Sequence, residues 1–246
     1  MQFDIMISSR FQNAKSEKFM EILNEEIGRN HEFGWSMNVA TIMDSWTSKT
    51  LHPIVRCTRA GKGRIRLTQM PYPRQLTANE NATKLWWIPL AITDARRPDF
   101  SPEGRTPRVW LTPEQPTLEI PYFSADEDQS NWILINGEMS SYVRVFYDEH
   151  NWRLLARQLL TNHTVIPRLT RVQLLEDAYT MATIEKPDLG IVKKMTEYLN
   201  IVKDEFVRTT ITFDLPVTSA GNRNRFEPLS ALVFFLAYMW LFLINC

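Results

Sequence analysis

The chain is 246 residues long and carries 28 Lys+Arg against 28 Asp+Glu, with 44% hydrophobic residues. The charge balance removes any bulk electrostatic reason to expect nucleic acid as a partner, and the hydrophobic content excludes wholesale disorder. The two cysteines, Cys57 and Cys246, exclude a disulfide framework and a cysteine-based zinc site.

The first half of the chain predicts helices and then strands. Apolar residues recur at helical spacing over residues 15–29 and 38–46. From residue 54 the period is two, and A-G-K-G at 60–63 predicts a β-hairpin with a four-residue loop between strands 54–59 and 64–69. Further short strands are predicted at residues 84–93, 108–112, 117–121, 131–136 and 142–147. Such a block of short strands indicates a β-sandwich.

After residue 148 the helical period returns. Trp152 begins one apolar stripe, T-R-V-Q at 170–173 is a capping-box pattern that predicts the start of a helix, and another helix is predicted over 187–208. The expected fold class is therefore α+β and multidomain. It comprises a short helical N-terminal segment, a β-sandwich, and an α-helical (helix-hairpin) segment with an apolar C-terminal helix.

The C-terminal residues predict an association with a membrane. Residues 229–244 contain no charged side chain and would form about 24 Å of helix, against a ~30 Å hydrocarbon core. S-A-G at 219–221 and the polar spacer 222–228 precede this run, which is the order of a glycolipid-anchor signal with Ser219 as the candidate attachment residue. A plain tail anchor and a buried core helix are the alternatives.

Two further features of the sequence bear on where the protein is located in the cell. Asn81 and Asn162 begin Asn-X-Thr sequons in predicted loops and are candidate glycosylation sites. Residues 1–10 lack the basic and apolar regions of a signal peptide. The expected location is a membrane, either the plasma membrane or the secretory pathway.

Few side chains are candidates for chemistry. H-E-F-G-W at 31–35 starts like the zinc-binding pattern H-E-x-x-H, but Trp35 stands where the second histidine ligand is required. His52 precedes Pro53 in a turn, and Cys57 within a strand is expected to be a buried thiol. We therefore assign no catalytic, cofactor-binding or metal-ligating residue.

Three blocks resemble the aminopeptidase N-like zinc metallopeptidases. N-W-I-L-I-N at 131–136, Y-V-R-V-F-Y-D at 142–148 and N-W at 151–152 resemble the family's W-I-L-L-N, G-Y-Y-R-V-N-Y-D and N-W signature. I-P-R-L-T-R-V-Q-L-L-E-D-A at 166–178 is similar to the family's I-P-x-x-N-R-A-Q-L-I-D-D-A helix. Upstream, M-D-S-W-T and H-P-I-V, which begin at Met43 and His52, resemble the family's M-D-x-W-T and Y-P-V junction.

The resemblance implies a domain order. It places the last helices of a catalytic domain at 1–51, a β-sandwich at 52–136, the start of an α-helical domain at 137–215, and a linker with a membrane-anchor-like tail at 216–246. The family's H-E-x-x-H, its Glu ligand, its substrate loop and its catalytic tyrosine have no matching positions in this chain. Zinc and peptide substrates are therefore expected only in a full-length enzyme, and no cofactor is expected in this chain.

The expected function follows from that resemblance. The chain would be a C-terminal fragment or truncated form of a membrane-associated zinc aminopeptidase, whose parent activity removes N-terminal amino acids from peptides. It would lack the zinc site and be inactive alone. The alternatives are a non-catalytic interaction module displayed at a membrane, and a structural fragment without independent function.

Overall fold

The computed structural model describes residues 21, 24–25, 38–49, 51–72, 85–122, 130–185, 189–204 and 207. These residues form a mixed α+β structure, which confirms the expected class at that level. The helices are α1 (Val39–Thr47), α2 (Glu149–Asn162), α3 (Arg168–Glu185) and α4 (Leu189–Thr196). The strands are β1 (Pro53–Gly61), β2 (Arg64–Pro71), β3 (Ile88–Leu90), β4 (Ile92–Asp94), β5 (Val109–Leu111), β6 (Thr117–Pro121), β7 (Ile133–Ile135) and β8 (Arg144–Tyr147).

The strands form three sheets. Four of them lie in the order β6-β2-β1-β8, while β3 pairs with β5 and β4 pairs with β7. All pairs are antiparallel except β1 with β8, which are parallel with Ile54 opposite Arg144. The run predicted as one strand at 84–93 is two strands, because β3 and β4 belong to different sheets. The parallel pairing places the strand that leads into α2 beside the first strand of the block.

The β1–β2 hairpin has a tighter turn than predicted. The strands continue to Gly61 and resume at Arg64, so the loop is two residues long and not four. Lys62 and Gly63 both have positive φ, 52° and 70°, as the favoured two-residue hairpin turns require. The register shifts between Arg59 and Gly61, where Gly61 has φ 77°, so a bulge precedes the turn. The alternation of apolar and polar residues does not show at which residue φ becomes positive. It therefore did not predict the length of the hairpin loop correctly.

Two helix predictions also need correction. Helix α3 begins at Arg168 and not at the T-R-V-Q pattern, because Thr170 lies in the first helical turn and bonds with Glu138 instead of capping. Helix α4 ends at Thr196 and is followed by a 3₁₀ turn over Glu197–Asn200, so it is shorter than the predicted helix over 187–208. By contrast, α1 matches the predicted helix at 38–46 within one residue, and the Asn38 side chain accepts a hydrogen bond from the Ala40 N–H to cap it.

One hydrophobic cluster joins α1, the strands and the helices. It contains the β7 residues, β8 through Val145 and Tyr147, and the buried Trp132 and Trp152. The strands predicted at 131–136 and 142–147 are shorter in the structure, Ile133–Ile135 and Arg144–Tyr147, and Trp132 beside the first of them is 3% exposed. The predicted helix at 15–29 lies mostly outside the described residues, and the apolar tail at 229–244 lies entirely outside them.

Candidate functional site

Two of the three blocks that carry the family resemblance meet at one place, which we call the strand–helix junction: residues 131–136, 142–148, 151–152 and 166–178. Asn151 lies at its centre, in the first turn of α2. The Asn151 Nδ2 donates to the Ile133 carbonyl at 2.8 Å, and its Oδ1 accepts from the Ile133 N–H at 2.8 Å. The amide side chain therefore pairs with β7 as a neighbouring strand would.

Asp148 ties α2 to the sheet. Its Oδ1 accepts from the Asn151 N–H at 2.8 Å and so caps α2, while its Oδ2 accepts from the Arg59 N–H of β1 at 2.9 Å. A carboxylate that satisfies two backbone donors from different elements fixes the angle at which the helix leaves the sheet. The D in the Y-V-R-V-F-Y-D block thus has a defined structural role.

Aromatic side chains complete the same corner. The Tyr147 hydroxyl accepts from the Ile135 N–H at 2.8 Å, and the Tyr147 ring stands edge-on to Trp152 with centroids 5.0 Å apart. The Trp152 Nε1 donates to the Met181 sulfur at 3.3 Å. Burial raises the pKa of Tyr147 well above its usual value, so the hydroxyl stays neutral.

Burial also raises the pKa of Cys57, which makes this thiol a poor nucleophile, as expected of a buried strand residue.

Arg144 joins β8 to α3. Its Nη1 lies 2.7 Å from Glu176 Oε2 and 3.3 Å from Asp177 Oδ1, and the other Asp177 oxygen accepts from the Val145 N–H at 3.1 Å. Burial raises the pKa of Asp177 to about 7 and outweighs the opposing charge of Arg144. Although burial alone would lower the pKa of Arg144, the charges of Asp177 and Glu176 raise it. The R of the Y-V-R-V block therefore meets the E-D of the α3 block.

His52 packs between two tyrosines and is close enough to Arg144 to be affected by its charge. Its ring centroid is 4.7 Å from that of Tyr72 and 5.4 Å from that of Tyr142. Burial and the charge of Arg144 together lower the pKa of His52 to about 4. The imidazole is therefore neutral near pH 7 and acts as an aromatic packing residue, consistent with the tyrosine that the family signature has at this position.

The turn between β7 and β8 is strained and was not predicted to have a role. Asn136, Glu138 and Met139 all have positive φ, between 54° and 64°. The Asn136 side chain holds the turn by donating to the Ser141 and Val143 carbonyls. The Glu138 Oε1 accepts from the Thr170 hydroxyl at 2.9 Å and from its N–H at 3.3 Å, at the start of α3. The sequence G-E-M-S-S at 137–141 forms no pattern from which this contact was predicted.

The junction can organise a structure but offers no reactive group. The polar side chains of Asp148, Asn151, Tyr147 and Asp177 bond to backbone groups, in an arrangement that links β7, β8, α2 and α3. Within the part of the chain that the structure describes, no group of three His, Cys, Asp or Glu residues is placed to hold a metal ion.

The comparisons with known proteins match the same region. Residues 132–213 match the ERAP1-like C-terminal domain. The thyrotropin-releasing hormone-degrading ectoenzyme of Mus musculus is 29% identical over 209 residues, which are 82% of this chain and 19% of that protein. Aminopeptidase N of Plutella xylostella is 27% identical over 191 residues, 76% of this chain and 19% of that protein. The chain is therefore similar to aminopeptidase N-like proteins, as the three sequence blocks indicated.

The sequence similarity covers strands as well as helices. Human aminopeptidase Q is 26% identical over 183 residues, 72% of this chain and 17% of that protein. The chain therefore spans about a fifth of the length of the curated relatives that it matches. The segment that matches the ERAP1-like C-terminal domain starts at Trp132, which is inside the junction.

The remaining site predictions divide by location. Asn162 is the exposed last residue of α2, and its Oδ1 accepts from the Thr164 hydroxyl at 2.6 Å and from the Thr164 N–H at 3.2 Å. Asn81, Ser219 and the H-E-F-G-W pattern lie outside the described residues. Among the helices that the structure describes, none has the length and apolarity needed to cross a bilayer.

Proposed function

We propose that the chain is a non-catalytic C-terminal part, or a truncated form, of a membrane-associated zinc aminopeptidase. The observation that carries the proposal is the junction itself, because two of the three sequence blocks that resemble the aminopeptidase N-like family bond within it and to one another. Asn151 bonds to Ile133, and Arg144 bonds to Asp177. Its role is structural: it holds strands and helices at a fixed angle beside the position of a catalytic domain.

The domain organisation belongs to the same proposal. We infer that residues 52–136 correspond to the family's β-sandwich and that residues from 137 onward begin its helical domain, with 1–51 as the end of a catalytic domain and 216–246 as linker and tail. The parent activity is removal of N-terminal residues by a zinc-activated water, and the zinc ligands belong to the catalytic domain. Trp35 in place of a second histidine supports the expectation that these 246 residues hold no zinc.

A direct experiment tests inactivity. Purified residues 1–246 are incubated with zinc, dialysed, and assayed for bound metal and for release of N-terminal amino acids from aminoacyl reporters. We expect no stoichiometric zinc and no turnover. About one tightly held zinc per chain, with turnover that a chelator abolishes, would refute the proposal.

Membrane association is a second part of the proposal, supported by the uncharged run at 229–244 and by the relative named as an ectoenzyme. Full-length chain and a chain ending at Gly221 are compared by flotation with lipid vesicles. We expect only the full chain to float, because exposing so many apolar side chains to water is costly. Release of the full chain from cells by a phospholipase would select the glycolipid anchor at Ser219 over a tail anchor. A full chain that stays monomeric in detergent-free buffer would contradict both.

The alternative function, a non-catalytic interaction module displayed at a membrane, has its own observation. Among the described residues, large apolar side chains are exposed at Met139, Leu160 and Ile201. If the chain is such an interaction module, replacing these three residues with serine will abolish capture of a partner by the intact chain at the cell surface. The fold should remain unchanged.

Glycosylation is proposed at Asn162 because the side chain is exposed and already bonds with the Thr164 hydroxyl of its sequon. We expect Asn162→Gln and Thr164→Ala each to remove one glycan from secreted or surface-displayed chain. Arg157→Gln on the same helix serves as the control that retains it. An unchanged gel mobility in both sequon variants, before and after glycosidase treatment, would exclude this site; Asn81 is tested in the same way.

A further inference from the structure

An asparagine–glycine pair, Asn136 and Gly137, begins the turn that joins β7 to β8, which we call the β7–β8 turn. The Asn136 side chain is buried, with 1% of the residue exposed. Its Nδ2 donates to the carbonyls of Ser141 and Val143 at 2.9 and 3.3 Å. Its Oδ1 accepts from the Ser141 N–H and from the Ser140 hydroxyl. The two donors and two acceptor positions of the amide are therefore all used inside the turn.

The fold requires both residues of this pair. Asn136 has φ 64°, a left-handed conformation that asparagine adopts more readily than most residues. At Gly137 a Cβ would lie 3.0 Å from the Phe100 Cδ1, so a larger residue would press against that ring. Asparagine before glycine is also the dipeptide that loses its side-chain amide most readily, because glycine leaves its own backbone nitrogen unhindered. The turn thus retains a chemically labile pair for structural reasons.

The reaction open to such a pair is deamidation. The Gly137 backbone nitrogen loses its proton to a solvent base and attacks the Asn136 Cγ. The bond from Cγ to Nδ2 then breaks, and ammonia leaves with a proton taken from solvent. Water adds to one of the two carbonyls of the resulting five-membered imide and opens the ring to aspartate or isoaspartate. Nothing is oxidised or reduced, so water is the only co-reactant.

The folded turn prevents ring closure. Closing the ring eclipses the Asn136 Cα–Cβ bond with the peptide bond to Gly137, which requires a negative ψ, whereas Asn136 has ψ 36°. Such a rotation redirects the chain and takes the amide away from Ser141 and Val143. Within the turn Glu138 and Met139 also have positive φ, a conformational cost that opening would relieve. The reaction therefore requires an opened turn.

We propose that Asn136 is a deamidation site whose reaction is controlled by opening of the β7–β8 turn and whose product does not close that turn again. A carboxylate has no N–H, so the buried carbonyls of Ser141 and Val143 would lose their donors and face a negative charge. Isoaspartate also adds a carbon to the main chain. The opened turn then gives up the contact of Glu138 with Thr170 at the start of α3. An isoaspartyl methyltransferase is the class of enzyme that would recognise the isoaspartate.

The first test measures where and when the amide is lost. The full chain is incubated at neutral pH in native buffer and in urea that unfolds it, and each asparagine is followed by peptide mass spectrometry. We expect Asn136 to react in both, roughly tenfold or more slowly in native buffer. Asn151 is the internal control, because it is buried and bonded to backbone but precedes Trp152, and it should stay intact. Equal rates in the two conditions would overturn control by opening.

Matched variants change the opening of the turn. Thr170→Val removes the hydroxyl that accepts from the Glu138 N–H at 2.8 Å, and it should speed the native reaction severalfold. Thr183→Val removes a hydroxyl that bonds with the Thr180 carbonyl on the same helix, and it should react as the wild type does. If Thr170→Val does not fold, the wild-type rates in buffer and urea still decide. Intact Asn136 after native incubation of both wild type and Thr170→Val overturns the proposal.

A second test concerns the product. Ion exchange separates the deamidated chain, which has gained a negative charge, from the intact chain. We expect the deamidated fraction to melt about 4–8 °C lower, because buried carbonyls have lost their donors. The Ser141 amide, which bonds with Asn136, should also exchange faster with deuterium. A deamidated fraction that melts and exchanges like the intact chain would show that the turn closes again, contrary to the proposal.

Discussion

The polar groups on either side of the β-strand–helix contacts are satisfied in two different ways. Asn151 and Asp177 bond to the backbone of strands β7 and β8. Around Arg171 of helix α3, by contrast, the guanidinium and the Tyr198 hydroxyl have buried atoms with no partner in the described part of the chain. Both regions lie within the match to the ERAP1-like C-terminal domain, which covers residues 132–213. The similarity to known proteins therefore does not distinguish the paired groups from the unpaired ones.

The largest expected effect tests whether the junction is the rigid part of the molecule. Trp132 is buried, and its Nε1 donates to Gln158 Oε1 at 3.1 Å. Trp132→Ala should lower the free energy of unfolding by about 3–5 kcal/mol, through lost burial and a cavity. Leu160→Ala, at a side chain 39% exposed on α2, is the control and should cost under about 1 kcal/mol. Urea denaturation measures both, and a loss below about 1 kcal/mol for Trp132→Ala would contradict the assigned packing.

The next effect contrasts a paired group with an unpaired one. Asn151→Ala leaves the N–H and carbonyl of Ile133 without their partner, which should cost about 2–4 kcal/mol. Tyr198→Phe removes a hydroxyl that has no partner among the described residues, so the stability should change by under about 0.5 kcal/mol. Equal losses in the two variants would contradict the distinction between paired and unpaired groups.

The pH dependence separates two titratable groups near Arg144. The pKa of His52 is lowered to about 4, so its contribution to stability is present above pH 6.5 and is lost as the pH falls toward 4. The pKa of Asp177 is raised to about 7, so its contribution is full below pH 3.8 and is lost as the pH rises through 7. In Asp177→Asn only the His52 dependence remains. The free energy of unfolding of this variant should therefore fall by about 2 kcal/mol as the pH falls from 6.5 to 5, because each pKa unit is worth about 1.4 kcal/mol.

The variant His52→Phe should show the opposite dependence of stability on pH. His52→Phe keeps the aromatic packing against Tyr72 and Tyr142 and should become more stable as the pH falls from 8 to 5, because only the Asp177 dependence remains. Chemical denaturation at several pH values measures both slopes. Parallel slopes in the two variants would show that other groups control the pH dependence.

The smallest effect compares two buried glutamines. Gln173 Oε1 has no partner within the described ranges, so Gln173→Met should change the stability by less than about 1 kcal/mol and in the stabilising direction. Gln69 is the matched control, because its side chain bonds to both backbone groups of Trp86 and to the Thr112 carbonyl. Gln69→Met should be clearly destabilising in the same thermal melt. A destabilising Gln173→Met would reveal an unrecognised acceptor role.

The sequence predicted several individual helices and strands of this structure but not the contacts between distant elements. Periodicity located α1, β6 and the buried strands near Trp132, since these patterns report which side chains face a core. The blocks around Asn151 indicated the similarity to aminopeptidase N-like proteins that the comparisons then found. The pairing of β1 with β8 and the contact between Glu138 and Thr170 were missed, because a local pattern does not reveal a partner distant in sequence. The positive φ values at Glu138 and Met139 had no glycine to indicate them.

The parallel pairing of β1 with β8 has a consequence for how the chain folds during synthesis. Ile54 cannot meet Arg144 until about 90 further residues have been translated, which takes roughly 5–18 s at 5–20 residues per second. Until then one edge of β1, which includes the apolar Ile54 and Val55, has no strand beside it. An unpaired apolar edge is prone to pairing with other chains. We therefore expect nascent chains released before residue 147 to bind chaperones and aggregate, and longer chains to escape once β8 has closed the sheet.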